Sequence, residues 1–260
     1  MTDFIWDLSA GSPPAAIAVW RPTHILHTAA LTDVDYCERN PSVARAVHVA
    51  GTERVMDLAA RTGARVLYVS TDAVFNGKRG GYRDTDAIDP INVYAQTKAE
   101  GERCVLATHT GLVVRLNMVG PEGLTEWVLS NAVAGTCIQV FSDIVFNPVE
   151  VRELAALLVP LALSAATGLA HVGSDEAISK AEYAARLIRY AGLTDCAKVE
   201  RVPYHAGALT APRPRNTSLV ASASLEALGP LPRLDAAIRL LAAEWVQGRR
   251  SAQFVQDLPS

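Results

Sequence analysis

The sequence predicts an α/β fold: a parallel sheet flanked by helices, with a small lobe towards the C-terminus. Three observations predict it. Short apolar runs at Thr23-His24-Ile25-Leu26-His27-Thr28, Val66-Leu67-Tyr68-Val69 and Gly111-Leu112-Val113-Val114-Arg115-Leu116 alternate with helix-length segments, as βα units do. The second run stops in Ser70-Thr71-Asp72, the reading of a buried parallel strand that ends at a polar sheet edge. Tyr94 and Lys98 follow on the next helical segment, four residues apart and therefore on one helix face.

In chain order, Phe4-Ile5-Trp6-Asp7-Leu8 reads as a short strand, and Ser12-Pro13-Pro14 opens a helix to about Trp20. The Thr23–Thr28 strand gives way to small residues and then to a turn region from Asp33 to Glu38. Pro41 to Thr62 is one long amphipathic helix closed by Gly63. After the Val66 strand, Gly77-Lys78-Arg79-Gly80-Gly81 reads as a hairpin-like loop, and the Tyr94 helix runs to about Ala107. The Gly111 strand breaks at Gly120-Pro121-Glu122-Gly123. Leu124–Val133 then reads as helix, Ile138–Phe141 as extended, Val149–Leu161 as helix and Ala170–Gly173 as strand. Leu154–Ala166 is the longest apolar run, a buried helix with a break at Pro160, and is too short to span a bilayer. Ser179-Lys180-Ala181-Glu182 has capping-box spacing and starts a helix to about Tyr190. Pro212 and Pro214 mark an extended loop, Asp235–Val246 a closing helix, and 248–260 a tail.

A chain of 260 residues suits one α/β domain with a small lobe. Its net charge of −3 argues against a nucleic-acid surface. The start, with two acids and no basic region, does not read as a secretory signal. Four scattered cysteines without a C-x-x-C pair fit reduced thiols in a cytoplasmic protein, and no metal-ligand spacing occurs.

The chemistry concentrates at the Val66 strand's end. In open α/β sheets the carboxyl ends of strands border the ligand crevice, so Ser70 and Thr71 point at a ligand. A free tyrosine titrates near 10, and an ammonium within about 4–6 Å lowers that value. On this reading Lys98 acidifies Tyr94, Tyr94 protonates a carbonyl oxygen, and Thr71 donates a second hydrogen bond to the same oxygen. Among substrate contacts, Arg115 suits a phosphate or carboxylate, and Arg213 and Arg215, stiffened by prolines, suit a nucleotide diphosphate. Asn147 is a pocket-lining candidate.

Three stretches carry a family resemblance: Ala29-Ala30-Leu31-Thr32-Asp33-Val34-Asp35, Val69-Ser70-Thr71-Asp72-Ala73-Val74-Phe75, and Asn92-Val93-Tyr94-Ala95-Gln96-Thr97-Lys98-Ala99-Glu100-Gly101-Glu102. Together they resemble the dTDP-4-dehydrorhamnose reductase family of extended short-chain dehydrogenases, and weaker similarity covers about Asp7 to Leu241. The resemblance implies an N-terminally truncated Rossmann-like sheet over 1–122, with 144–172 returning to it, and a substrate-binding lobe over 123–143 and 173–247. It implies Thr71, Tyr94 and Lys98 as catalytic residues. It further implies NAD(P)H beside Ala29, Ala30, Leu31, Ser70 and Lys98, and a nucleotide sugar against Asp72, Ala73, Arg115, Asn117, Asn147, Arg213 and Arg215.

Two departures bear on these expectations. The family's glycine-rich phosphate turn is not in this sequence, whose only glycine before Gly51 is Gly11. The first βαβ unit is thus expected to be missing, a loss of roughly 50–60 residues at about 30 per unit. His48 also stands where the family has asparagine. Three readings stay open: an NAD(P)H-dependent reductase of nucleotide-linked 4-keto sugars, a redox-silent acid/base enzyme for elimination, isomerisation or cyclisation, and a non-catalytic binding or regulatory subunit. A homo-oligomer or a partner chain that completes the cofactor site also stays open.

Overall fold

The computed structural model describes residues 4–205, 209–223, 225 and 229–256. Helix α1 (Ala15–Trp20) leads into strand β1 (His24–His27), and α2 (Val34–Arg39), α3 (Pro41–Arg45) and α4 (Gly51–Thr62) lead to β2 (Arg65–Thr71). Helix α5 (Val93–Leu106) connects β2 to β3 (Gly111–Leu116), followed by β4 (Met118–Val119), α6 (Leu124–Ala134) and β5 (Cys137–Phe141). Then come β6 (Val145–Phe146), β7 (Val149–Glu150), α7 (Val151–Leu163), β8 (Gly168–His171), β9 (Ile178–Ser179), α8 (Lys180–Tyr190), β10 (Lys198–Val202) and α9 (Leu234–Gln256).

Strands β1, β2, β3 and β8 form one parallel sheet in that order. Helix α5 can press against it because residue 101 is glycine: a Cβ there would meet the Tyr68 hydroxyl at 2.6 Å and the His48 carbonyl at 2.8 Å. On the other face α7 buries Leu154, Leu158 and Leu161 with Leu67, Val69, Leu112 and Val114. A separate apolar cluster joins α6, β5, α8 and α9 through Leu129, Ile138, Leu187, Ile238 and Leu241. The line between β2–β3 and that second cluster is where the functional cleft opens.

Several expectations need correction. Residues 4–8 form no strand, because no strand among the described residues pairs with their backbone; Trp6 and Leu8 instead tuck beside Val55, Ala59 and Val66, and Ile5 is 96% exposed. The Asp33–Glu38 turn is a helix, capped by the Asp33 carboxylate, which accepts from the Tyr36 N–H at 2.9 Å. The Pro41–Thr62 helix runs as expected to left-handed Gly63, but with a π-helical turn at Ala46–Ala50. The 77–81 loop is not a hairpin: the Asn216 N–H bonds the Gly77 carbonyl, and Tyr82 bridges Leu219. Pro160 does not break α7, since it falls in the last turns and the Leu154–Leu158–Leu161 stripe holds the helix down. Strand β10, parallel to β5, was not anticipated. Residues 248–256 continue α9 rather than forming a tail, and 257–260 lie outside the described residues. No helix among the described residues is long and apolar enough to cross a membrane.

Candidate active site

Strand β2 ends at a cleft of about 520 Å³ bordered by Thr28, Ala30, Ser70, Thr71, Asp72, Tyr94, Lys98, Asn117 and Arg213. The Tyr94 phenol and the Thr71 hydroxyl line this cleft together, near enough for Thr71 to act on the phenol's acidity. What brings them together is the start of α5: the Asn92 side chain accepts from the Ala95 N–H at 2.9 Å and donates to the Pro212 carbonyl at 2.9 Å, while Glu38 accepts from the Val93 N–H at 2.9 Å. The start of α5, helix α2 and the proline loop are thereby fixed together. Asp72 is buried and accepts from Asn117 at 2.9 Å, from Thr71 at 3.2 Å and from the Thr217 hydroxyl.

The Lys98 ammonium is anchored to β2 and makes no hydrogen bond to Tyr94. It donates to the Val69 carbonyl at 2.8 Å and lies 4.0 Å over the Tyr68 ring. The two side chains share a helix face but meet β2 two residues apart, roughly 7 Å at about 3.3 Å per residue. Burial pushes the phenol up to about 12, the nearby Thr71 hydroxyl pulls the other way, and the Asp72 carboxylate adds to the rise. Burial brings Lys98 down to about 7, with Glu102 opposing. The pair therefore presents a protonated phenol beside a lysine that titrates near neutrality.

Behind them lies a buried histidine pair. The Leu31 N–H donates to His48 Nε2 at 2.9 Å, so Nδ1 carries the proton and donates to Thr97 at 2.8 Å. The His48 ring also stands edge-on to Tyr94, with ring centroids 5.6 Å apart. Thr52 gives its proton to the His48 carbonyl, so His27 Nε2–H donates to Thr52 at 3.1 Å. Burial, with the Lys98 charge adding, holds each imidazole down at about 4. When unfolded, both take up protons as pH falls through 6.5; when folded, neither does until about 4. Their contribution is therefore complete above 6.5 and is lost as pH falls from there towards 4. Denaturation midpoints should drop over that window, and a His27→Gln/His48→Asn variant should show a flatter dependence; equal slopes would refute this origin.

The structure brings Thr71, Tyr94, Lys98, Ser70, Asp72, Ala73, Ala30, Asn117 and Arg213 to one cleft. Arg213 reaches it while paired with Asp35 at 3.1 Å. Ala29 and Leu31 adjoin the cleft wall in sequence without lining it. Three other residues are placed elsewhere. Arg115 is buried in a bidentate pair with Glu102, at 2.9 and 2.6 Å. Asn147 ties loops together through the Leu219 N–H and carbonyl, both at 2.9 Å. Arg215 pairs with Asp143 at 3.2 Å and the Tyr204 carbonyl at 3.1 Å. Sequence reasoning passed over Thr217, which bonds Asp72, and Lys180, which lines the cleft from the start of α8. The available signal for Lys180 was a cation at the first position of a helix, where the dipole opposes it.

The residues fit one end of NAD(P)H and not the other. Thr28, Ala30, Ser70 and Lys98 suit a nicotinamide riboside at the strand ends. A pyrophosphate needs free N–H groups at a helix N-terminus. The helix after β1 instead begins with capping Asp33 and carries Asp35 in its first turn, which repel an anion. Among the described residues no glycine-rich turn joins a strand to a helix.

The family described as RmlD substrate binding domain matches residues 6–245. The dTDP-4-dehydrorhamnose reductase of Mycobacterium tuberculosis is 32% identical over 273 residues, spanning 100% of this chain and 88% of that protein. The crystal structure of dTDP-4-dehydrorhamnose reductase from Yersinia enterocolitica is similar with a TM-score of 0.80 and 27% identity, covering 89% of this chain and 84% of that one. The dTDP-4-dehydrorhamnose reductase from Bacillus anthracis in complex with NADP gives 0.82 and 26%, covering 92% and 86%.

Proposed function

The chain belongs to the RmlD substrate binding domain family, and from that premise we propose that it acts on the carbonyl group of a nucleotide-linked keto sugar, with Thr71, Tyr94 and Lys98 as its catalytic residues. One observation carries this reading: the Thr71–Tyr94 pair at the carboxyl end of β2, opening on the cleft. The sugar's carbonyl oxygen sits between the two hydroxyls and accepts from both. As negative charge builds on that oxygen, the proton moves to it from Tyr94 Oη. A phenol held at about 12 is fully protonated at neutral pH and is a donor throughout. Arg213 is the candidate for the diphosphate at the cleft wall, although both Asp35 oxygens, at 3.2 and 3.1 Å, and the Ala211 carbonyl at 2.7 Å already hold its guanidinium, so a diphosphate would use only its remaining N–H groups. The two apolar clusters support reading 1–122 with 144–172 as the sheet domain and 123–143 with 173–247 as the substrate lobe.

NAD(P)H, when bound, supplies hydride to the carbonyl carbon in reductases of this kind, and Thr28, Ala30, Ser70 and Lys98 would border its nicotinamide end. This chain's described residues hold no glycine-rich pyrophosphate cradle. The carboxylates of Asp33 and Asp35 at the start of α2, which oppose an anion there, favour a second reading, in which Thr71 and Tyr94 stabilise an enolate and the enzyme is redox-silent. Purified protein is titrated with NADH and NADPH, then incubated with dTDP-4-dehydrorhamnose in D₂O. Saturable binding with oxidation of the reduced cofactor supports reduction, and deuterium uptake beside the carbonyl without cofactor binding supports the second reading. A keto sugar that neither binds nor changes overturns both.

A further inference from the structure

Lys180 occupies a costly place. It is the first residue of the 11-residue helix α8, where the positive end of the dipole disfavours an ammonium. Its Nζ lies 3.3 Å over the Phe146 ring, and the cleft wall around it includes the apolar side chains of Ile144 and Phe146. Asp72 lines the same cleft from the end of β2. The two charges attract one another, yet no N···O distance of 4.0 Å or less joins them.

Their hydrogen-bonding capacity is unequal. One Asp72 oxygen, Oδ2, accepts from both Thr217 and Asn117. The other, Oδ1, has only the long 3.2 Å contact from Thr71. It keeps room for another donor, while Lys180 has ammonium protons and no side-chain oxygen beside them. A ligand group that bridges the gap must accept from the lysine and donate to the carboxylate at once. A phosphate cannot donate when ionised and would face the Asp72 charge, and a carbonyl oxygen cannot donate at all. A hydroxyl does both.

We infer that Lys180 and Asp72 hold one hydroxyl of the substrate, Lys180 donating to its oxygen and Asp72 accepting its proton. Because Asp72 directly follows Thr71, that hydroxyl lies close to the carbonyl that Thr71 and Tyr94 address. This rests on the keto-sugar reading and adds Lys180 to it as the residue that positions the sugar beside Asp72. Burial brings the Lys180 ammonium down to about 8 against the pull of Asp72, so it is still mostly charged at neutral pH.

Calorimetry with dTDP and with dTDP-rhamnose, on the parent and on Lys180→Met, tests the inference. The variant should bind dTDP-rhamnose roughly 10- to 100-fold more weakly, the cost of one charged hydrogen bond. Its affinity for dTDP should equal the parent's, which also shows that it is folded. Lys180→Arg, which restores a donor, should recover part of the loss. Equal weakening of both ligands, or none of either, overturns the inference and leaves the keto-sugar reading standing. A parent that binds dTDP-rhamnose no better than dTDP does the same, and one that binds neither overturns both.

Discussion

Tyr94→Phe should lower turnover of dTDP-4-dehydrorhamnose by about 10²- to 10⁴-fold, the range for losing a general acid, with KM little changed. Phenylalanine keeps the ring that stands edge-on to His48, so α5 and the cleft wall stay in place. What disappears is the proton and one of two hydrogen bonds to the carbonyl oxygen, and that bond matters most when charge has built up there. The prediction holds for cofactor oxidation and for deuterium uptake, since each passes through the same polarised oxygen. With the phenol at about 12, the parent's rate should show no inflection from Tyr94 between about pH 6 and 9. Thr71→Val should cost less, because Tyr94 remains to protonate. Turnover within threefold of the parent in Tyr94→Phe would remove this residue from the chemistry, leaving the cleft a binding site.

The strand that ends in Ser70-Thr71-Asp72 and the helix that carries Tyr94 were legible because each has a strong local signature. A β-branched run stopping at polar residues and an i, i+4 pair need no knowledge of the rest of the chain. Where the tips of those side chains go is not local. Lys98 finds the Val69 carbonyl and the Tyr68 ring, both 29–30 positions earlier in the chain, and nothing in Tyr-x-x-x-Lys announces that. Lys180 was hidden by its context: Ser179 does cap α8, accepting from the Glu182 N–H at 3.1 Å, so the capping signature accounted for the stretch and drew attention from the lysine inside it. Asn147 looked like a pocket residue because amides often are. It is buried because the loops at 174 and 219 need a group that both donates to and accepts from backbone, which an amide supplies. The first strand failed for the opposite reason. Its residues have strand composition, but a strand is a relation to a neighbour, and residues 4–8 have none among the described residues.

Arg115→Met should destabilise the fold by about 3–5 kcal/mol, the cost of stranding one partner of a buried ion pair, while leaving affinity for the nucleotide sugar unchanged. Arg115 points from β3 into the space under α5. There its guanidinium meets both Glu102 oxygens and lies 5.3 Å from the Phe75 ring centre. The side chains of both residues are at most 5% exposed, so water cannot replace the lost bonds. Glu102 also accepts from Ser70 at 2.5 Å, and that single neutral donor cannot compensate a buried carboxylate for two charged ones. His171 is the remaining neighbour. Its Nε2 faces the Arg115 Nη1 at 3.4 Å and its Nδ1 faces the Tyr82 carbonyl at 3.1 Å, so the ring is neutral and adds no charge to the pair. Unfolding midpoints should fall by roughly 10 °C, at about 2–4 °C per kcal/mol for a chain of this size. Replacing both partners, as Glu102→Leu/Arg115→Met, should recover much of the loss, because no charge is then left buried. The sequence reading of Arg115 as a phosphate contact makes the reverse prediction: near-parental stability and weakened binding of the nucleotide sugar. Chemical denaturation and calorimetry on one variant decide between them, and a stability loss under about 1 kcal/mol would mean the pair contributes no more than a surface contact.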